Sequence, residues 1–200
     1  MTGRLTETAL LLVETQNEFM HPGGIFHEGI LPVARQNGCF ANLVELARRA
    51  RERILLVYAP ISFSPDHSEL TGRMGIFARV KTTGAFKRGG FGVRFFSEME
   101  PQSSDLVLGD RRGISPFHRT DLDRLLRERG VQRLAIAGFL TNICVESTVR
   151  SAYDHGYEVI VVNDATACLS LEEQTFCETR ILPNFARVVS TNDFLTEIRH

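Results

Sequence analysis

Two hundred residues with a formal net charge of −1 fit one domain with room for a sizeable core. Lys and Arg are interspersed with nearly equal numbers of Asp and Glu, 23 against 24, so no basic face points to nucleic acid or an anionic membrane. No stretch nears the roughly 20 apolar residues of a bilayer span. The opening segment "MTGRLTETALLLVET" lacks the design of a signal peptide, so a cytoplasmic protein is expected. Cys39, Cys144, Cys168 and Cys177 form no CxxC and no zinc spacing, which favours reduced thiols over a disulfide framework.

Strand and helix signals alternate along the chain. The run "TALLLVE" (8–14) reads as a buried strand. After the Gly/Pro-rich "HPGGIFHEGILP", Phe40, Leu43, Val44, Ala47 and Ala50 recur at helical spacing. "RILLVYA" (53–59) is a second strand. The pattern then lapses over 60–104, a stretch rich in Gly, Phe and Ser. So long a segment without strong elements suggests a functional cover. "DLVLG" (105–109) is a third strand, and Thr120 can cap a helix carrying Leu122, Leu125 and Leu126. "RLAIAGF" (133–139) is a fourth strand, followed by a helix from about Ile143 to Gly156. "EVIVV" (158–162) is a fifth. "SLEE" (170–173) is a capping box that opens a helix ending near Pro183. "ARVVS" (186–190) is a sixth strand, and a short helix closes the chain.

Alternating elements with near-continuous apolar strands predict a parallel sheet covered by helices on both faces. Chemistry in such sheets gathers beyond the carboxyl ends of the strands. That rule brings Glu14, the loop 109–117 and the segment 139–144 to one edge. Cys144 is the chemically interesting residue. A free cysteine is commonly a core residue. With Thr141 or Asn142 as N-cap, however, Cys144 falls in the first turn of a helix. There, unpaired N–H groups and the helix dipole favour a thiolate. Glu14 is the nearby acid. Arg111 or Arg112 is the cation, unless the pair is merely solvated or bridged to Asp110.

Together "ALLLVETQNEF", "LGDRRGISPF", "AGFLTNICVEST" and "GYEVIVVNDATA" resemble the isochorismatase-like cysteine hydrolases, in order and over nearly the whole chain. The resemblance implies one domain over 1–200 with the loop-rich cover at 60–104. It implies a Rossmann-like three-layer α/β/α sandwich around a six-stranded parallel sheet. It implies hydrolysis of a small amide, ureide or carbamoyl compound through a cysteine thioester, without a cofactor. Cys144 takes the position of the nucleophile, Glu14 that of the family's aspartate and Arg111 that of its lysine. A cis peptide is implied at Leu140–Thr141, turning the Thr141 and Cys144 amides toward an oxyanion. Gln16, Phe19, Asn142 and Phe117 fall where the substrate is held. A homodimer or homotetramer is implied as well, with a small molecule as the only other partner.

Two of the three triad positions depart from the family pattern. Glutamate lengthens the carboxylate arm by a methylene. Arginine keeps its charge but cannot relay a proton. A one-residue shift would put Asp110 in the lysine position, and Lys81 or Lys87 are further cations to weigh. Three outcomes follow: a working Glu–Arg–Cys site, a locked salt bridge leaving a ligand-binding protein, or a different reaction on the same fold. The first predicts a depressed Cys144 thiol pKa and the second an ordinary or raised one. His21, His27, His67, His118, His155 and His200 are scattered, and adjacent Asp66 and His67 lack the Asp-x-His spacing of metal-binding relatives, so no metal is expected. Phe77, Phe86, Phe91, Phe95 and Phe96 either roof the site or pack a satellite cluster or interface.

Overall fold

The computed structural model of the protein describes residues 7–109 and 111–199. In chain order the elements are β1 (Thr8–Val13), α1 (Asn17–Met20), α2 (His27–Asn37), α3 (Cys39–Ala50), β2 (Leu55–Ala59), α4 (Ile76–Thr83), β3 (Leu106–Val107), α5 (Leu122–Arg127), β4 (Arg133–Phe139), α6 (Glu146–Asp154), β5 (Glu158–Ala167), α7 (Leu171–Phe176), β6 (Arg187–Val189) and α8 (Thr191–Glu197). A π-helical turn, Thr141–Val145, leads into α6, and α7 continues through a second one, Cys177–Ile181. All six strands are parallel, in the order β3-β2-β1-β4-β5-β6. The strand order reverses between β1 and β4, the place where such sheets open a crevice at their carboxyl ends.

The apolar strands bury alternate residues on opposite faces, as the two-residue repeat of a strand requires. Leu10, Leu12, Leu56, Tyr58, Ala135 and Ala137 pack with α2, α3, α8 and the cover. Ala9, Leu11, Val13, Val57, Leu134 and Ile136 pack on the other face with α5 and α6. This is the three-layer sandwich that the strand pattern predicts. Local signals hold it in register. Ser170 Oγ accepts from the Glu173 amide at 3.2 Å and caps α7. Thr120 Oγ1 accepts from the Leu122 amide at 3.2 Å at the start of α5.

At the site end, β1 and β4 are drawn together by a glycine. Gly138 pairs with Val13, has φ +114°, and a Cβ there would lie 2.0 Å from the Val13 carbonyl oxygen. No side chain fits, so this contact depends on glycine.

Three helices escape the periodicity reading: α1 with its four residues, α2 and α4. α2 starts inside the Gly/Pro-rich stretch 21–32 and runs past it; its buried Ile30, Val33 and Ala34 sit beside Pro32, whose missing amide leaves the Glu28 carbonyl without its helical donor. α4 lies inside the cover, eight residues between Gly75 and Gly84. β5 also runs five residues past the expected 162, through Asn163 and Asp164. The reason is a shift in its register with β4, between Ile136 and Gly138, which breaks the simple apolar run. Among the described residues, no helix is long and apolar enough to cross a membrane.

Candidate active site

Glu14, Arg111 and Cys144 arrive from three separate segments and meet at the carboxyl edge of the sheet. Glu14 follows the last residue of β1 and turns into a left-handed conformation, φ 56°, rare for a residue with a side chain. Its amide stays tied to the neighbouring strand, donating to the Ala59 carbonyl at 3.2 Å. Arg111 leaves the loop after β3 and is buried with 1% exposure. Its Nη2 lies 2.7 Å from Glu14 Oε1. The guanidinium hydrogens, however, are aimed elsewhere: Nη1 donates to the Ala59 carbonyl at 3.0 Å, and Nη2 donates to the Ile114 carbonyl. The Glu14 contact is thus a close ion pair without an aligned hydrogen bond, and Glu14 Oε1 is a buried acceptor with no donor. Attraction between these full charges needs no angular alignment. Burying both charges is favourable only while each has the other.

Cys144 sits in the π-helical turn that follows β4 and is 8% exposed. Burial is the largest influence on its thiol and pushes the pKa well above the ordinary value; Glu14 pushes it further up, and Arg111 pulls it down. The depressed thiolate expected from the helix terminus is therefore absent. The resting thiol is protonated because the loss of water outweighs one cation. Glu14 and Arg111 thus act on the sulfur in opposite directions.

Several expectations about the surroundings need correction. The cis peptide is Phe139–Leu140, one bond earlier than Leu140–Thr141. Thr141 already belongs to the helical turn. Leu140 itself is the N-cap, in place of Thr141 or Asn142, and its carbonyl accepts from the Ile143 and Val145 amides at 3.1 Å each. The Thr141 hydroxyl instead donates to Gln174 Oε1 at 2.8 Å. Gln16 is fully buried and faces the cover, not a ligand. Its Nε2 donates to the carbonyls of Ile61 and Val93 at 3.1 and 2.8 Å, and its Oε1 accepts from the Ile61 amide at 2.8 Å. Phe117 lies in a neighbouring groove, stacked on His155 with ring centroids 5.0 Å apart. Asn142 does not line the chamber beside Cys144, although its Oδ1 is buried without a partner. Phe19 does line it.

That chamber encloses about 30 Å³, walled by Glu14 and Cys144 on the sheet side and by Phe63, Phe77, Phe86 and Val80 on the cover side. Phe77 and Phe86 thus do belong to the roof. Phe91 packs against His21, and Phe95 against Tyr58, away from it. Phe63, Val80 and Leu169 were not legible as lining residues. They come from a segment without periodicity and from beyond the polar bend of β5. Lys81 and Lys87 are exposed, and Lys81 Nζ donates to Thr71 Oγ1 at 3.2 Å, so neither supplies the buried cation. Arg112 is half-exposed and lies 4.0 Å from Glu69. Asp110 lies outside the described residues. His67 is buried, with its Nε2 2.8 Å from the Ala85 carbonyl, and Asp66 accepts from the Ser64 hydroxyl and the Ser68 amide. Both side chains serve the loop that carries them.

The sheet order, the crevice and the trio can be set beside known proteins. A family model, the isochorismatase domain, matches residues 8–193. The ureidoacrylate amidohydrolase RutB of Variovorax paradoxus is 30% identical over 174 residues, covering 80% of this chain and 69% of that protein. The crystal structure of a cysteine hydrolase from Pseudomonas syringae pv. phaseolicola is 28% identical with a TM-score of 0.80, covering 97% of this chain and 93% of that one. N-carbamoylsarcosine amidase from Thermoplasma acidophilum is 28% identical with a TM-score of 0.69, covering 93% and 97%. The chain belongs to the isochorismatase family.

Proposed function

We propose that the protein hydrolyses the C–N bond of a small amide, ureide or carbamoyl compound, with Cys144 as nucleophile. The observation that carries this reading is the Glu14–Arg111 ion pair at 2.7 Å set against the buried Cys144 thiol. Relatives named for ureidoacrylate and N-carbamoylsarcosine hydrolysis support the reaction class.

The chemistry follows from the groups present. A protonated thiol is a weak nucleophile, so its proton has to leave as the bond to carbon forms. Glu14, a carboxylate with a donor-free oxygen, accepts that proton. Arg111 stays charged throughout and offsets the negative charge that moves between Glu14 and sulfur. It holds no proton to relay. Sulfur adds to the carbonyl carbon, and the oxyanion is held by the Thr141 and Cys144 amides, the arrangement the resemblance implies. Glu14 then returns the proton to the leaving nitrogen, and the C–N bond breaks to leave a thioester. Water, deprotonated by Glu14, attacks the thioester; the acid leaves and the thiol is restored.

One observation favours a second reading, a ligand-binding member without turnover: the thiol is held high by burial, and Arg111 is already bonded to two carbonyls. Incubation with a panel of small amides and ureides, followed by intact-protein mass spectrometry, separates the two. An acyl or carbamoyl adduct on Cys144 together with amine or ammonia release supports hydrolysis. Saturable binding with neither product supports the second reading. A cytoplasmic setting with reduced thiols, and a homodimer or homotetramer, belong to the same proposal.

A further inference from the structure

The chamber at Cys144 encloses about 30 Å³, room for little more than a water molecule. An amide or ureide cannot enter it as it stands. Beside it lies an open groove of about 410 Å³, within the size range of small-molecule sites. The two are separated by Phe77 and Ile114, which line both. The groove runs along α6. Ser147, Ser151 and His155 line it and follow Cys144 at helical spacing, so one stripe of the helix leads from the sulfur outward over about 16 Å.

The groove is polar and has a sign. Ser115 Oγ donates to Ser151 Oγ at 2.9 Å, and Ser151 Oγ donates to the Ser147 carbonyl at 2.9 Å. Arg73 lines it, and among the described residues no carboxylate does. The Arg73 guanidinium lies 4.7 Å above the Phe77 ring, and no described carboxylate pairs with it. Phe77 itself stands on α4, which is flanked by Gly75 and Gly84, both with positive φ.

The geometry points to this groove as the second half of the substrate site: it holds a carboxylate or similar anionic tail on Arg73 and the Ser147 hydroxyl while Phe77 moves aside and the reactive carbonyl reaches Cys144. This deepens the proposed hydrolase reading by naming its substrate class as anionic. An anion on Arg73 competes with the cation–π contact to Phe77, so binding the tail and opening the chamber are coupled.

The test uses the full chain and two thiol reagents of similar size, N-propylmaleimide and a maleimide bearing a propionate tail. Their rates at Cys144 are read by site-resolved mass spectrometry and divided by their rates with free glutathione. Cys39, Cys168 and Cys177, all buried, report whether each variant stays folded. In the wild type the anionic reagent is the faster at Cys144 on this scale. Arg73→Gln reduces that preference about tenfold, the size of one charge-assisted hydrogen bond, and Arg73→Lys keeps part of it. Phe77→Ala, or the milder Phe77→Leu, speeds both reagents at Cys144 and leaves the other three cysteines protected. A wild-type preference no greater than glutathione's, a preference indifferent to Arg73→Gln, or a Cys144 that stays unreactive in both Phe77 variants overturns the groove. Because the readout is alkylation, a protein that turns over no amide would refute the proposed function without deciding the fate of the groove.

Discussion

The carboxyl edge of the sheet and the cover above it are built on different physical terms. At the edge, position is over-determined. β1 is buried throughout, Gly138 lets β4 approach it, and Arg111 is fixed by two backbone carbonyls besides Glu14. The cover has two 3₁₀ turns, one short helix, and glycines that need positive φ. Besides its apolar packing into the core, it is tied down by the segment Gln16–Glu18. Gln16 takes hold of Ile61 and Val93, the Asn17 amide donates to the Arg94 carbonyl at 2.8 Å, and Glu18 accepts from the Phe86 amide at 2.7 Å. The difference teaches that Glu14, Arg111 and Cys144 sit where many contacts fix the backbone, beneath a cover with little regular structure.

Substitutions at the edge should damage chemistry or folding sharply. Cys144→Ala is expected to remove turnover, by about 10⁴-fold or more, in an assay of amine or ammonia release. Full activity in this variant would remove the edge from the reaction. Glu14→Gln should lower the rate by about 10²- to 10⁴-fold, the usual share of general acid–base catalysis, measured on the same substrate. Arg111→Ala leaves the Glu14 charge buried and alone, and should destabilise the fold by about 3–5 kcal/mol in urea unfolding. A loss below about 1 kcal/mol would mean that water reaches the pair.

The boundary between the two regions is tested by Gln16→Ala. It strips partners from the Ile61 amide and from the Ile61 and Val93 carbonyls, so a cost of about 2–4 kcal/mol is expected. Protection of 60–104 against hydrogen exchange should fall before that of β1 and β4. Uniform loss across both regions would break the distinction. The smallest effect is expected at Ser170→Ala, which removes the cap of α7: about 1 kcal/mol in thermal or urea unfolding, with the rate unchanged.

Most of the edge was legible because its signals are short and strong. Continuous apolar runs gave all six strands. The rule of the carboxyl ends then selected Glu14, the loop of Arg111, and Cys144 without any knowledge of their distances. What failed to read was whatever depended on the third dimension or on water. The helix-terminus reasoning put the thiol low. It weighed a dipole and a cation but could not weigh burial, which is the largest influence on Cys144. Gln16 reads as a polar residue near the site, and only the fold shows that both its amide hydrogens and its oxygen are taken. α4 was missed because Gly75 and Gly84 leave it just eight residues, too few for a convincing period. Phe63 becomes a neighbour of Cys144 only when the cover folds back over the sheet, and Leu169 only because β5 continues past its polar bend.

The central claim is that Glu14 and Arg111 act in opposition on one buried thiol. The most direct measurement is the rate of Cys144 alkylation by iodoacetamide as a function of pH, site by site, in the wild type, Glu14→Gln and Arg111→Ala. Burial and Glu14 favour the protonated thiol and Arg111 favours the thiolate. The wild-type midpoint should therefore lie above the ordinary thiol value of about 8.5. It should move down when the carboxylate charge is removed and further up when the guanidinium is removed. A midpoint below the ordinary value, or one that neither substitution moves, would contradict the account.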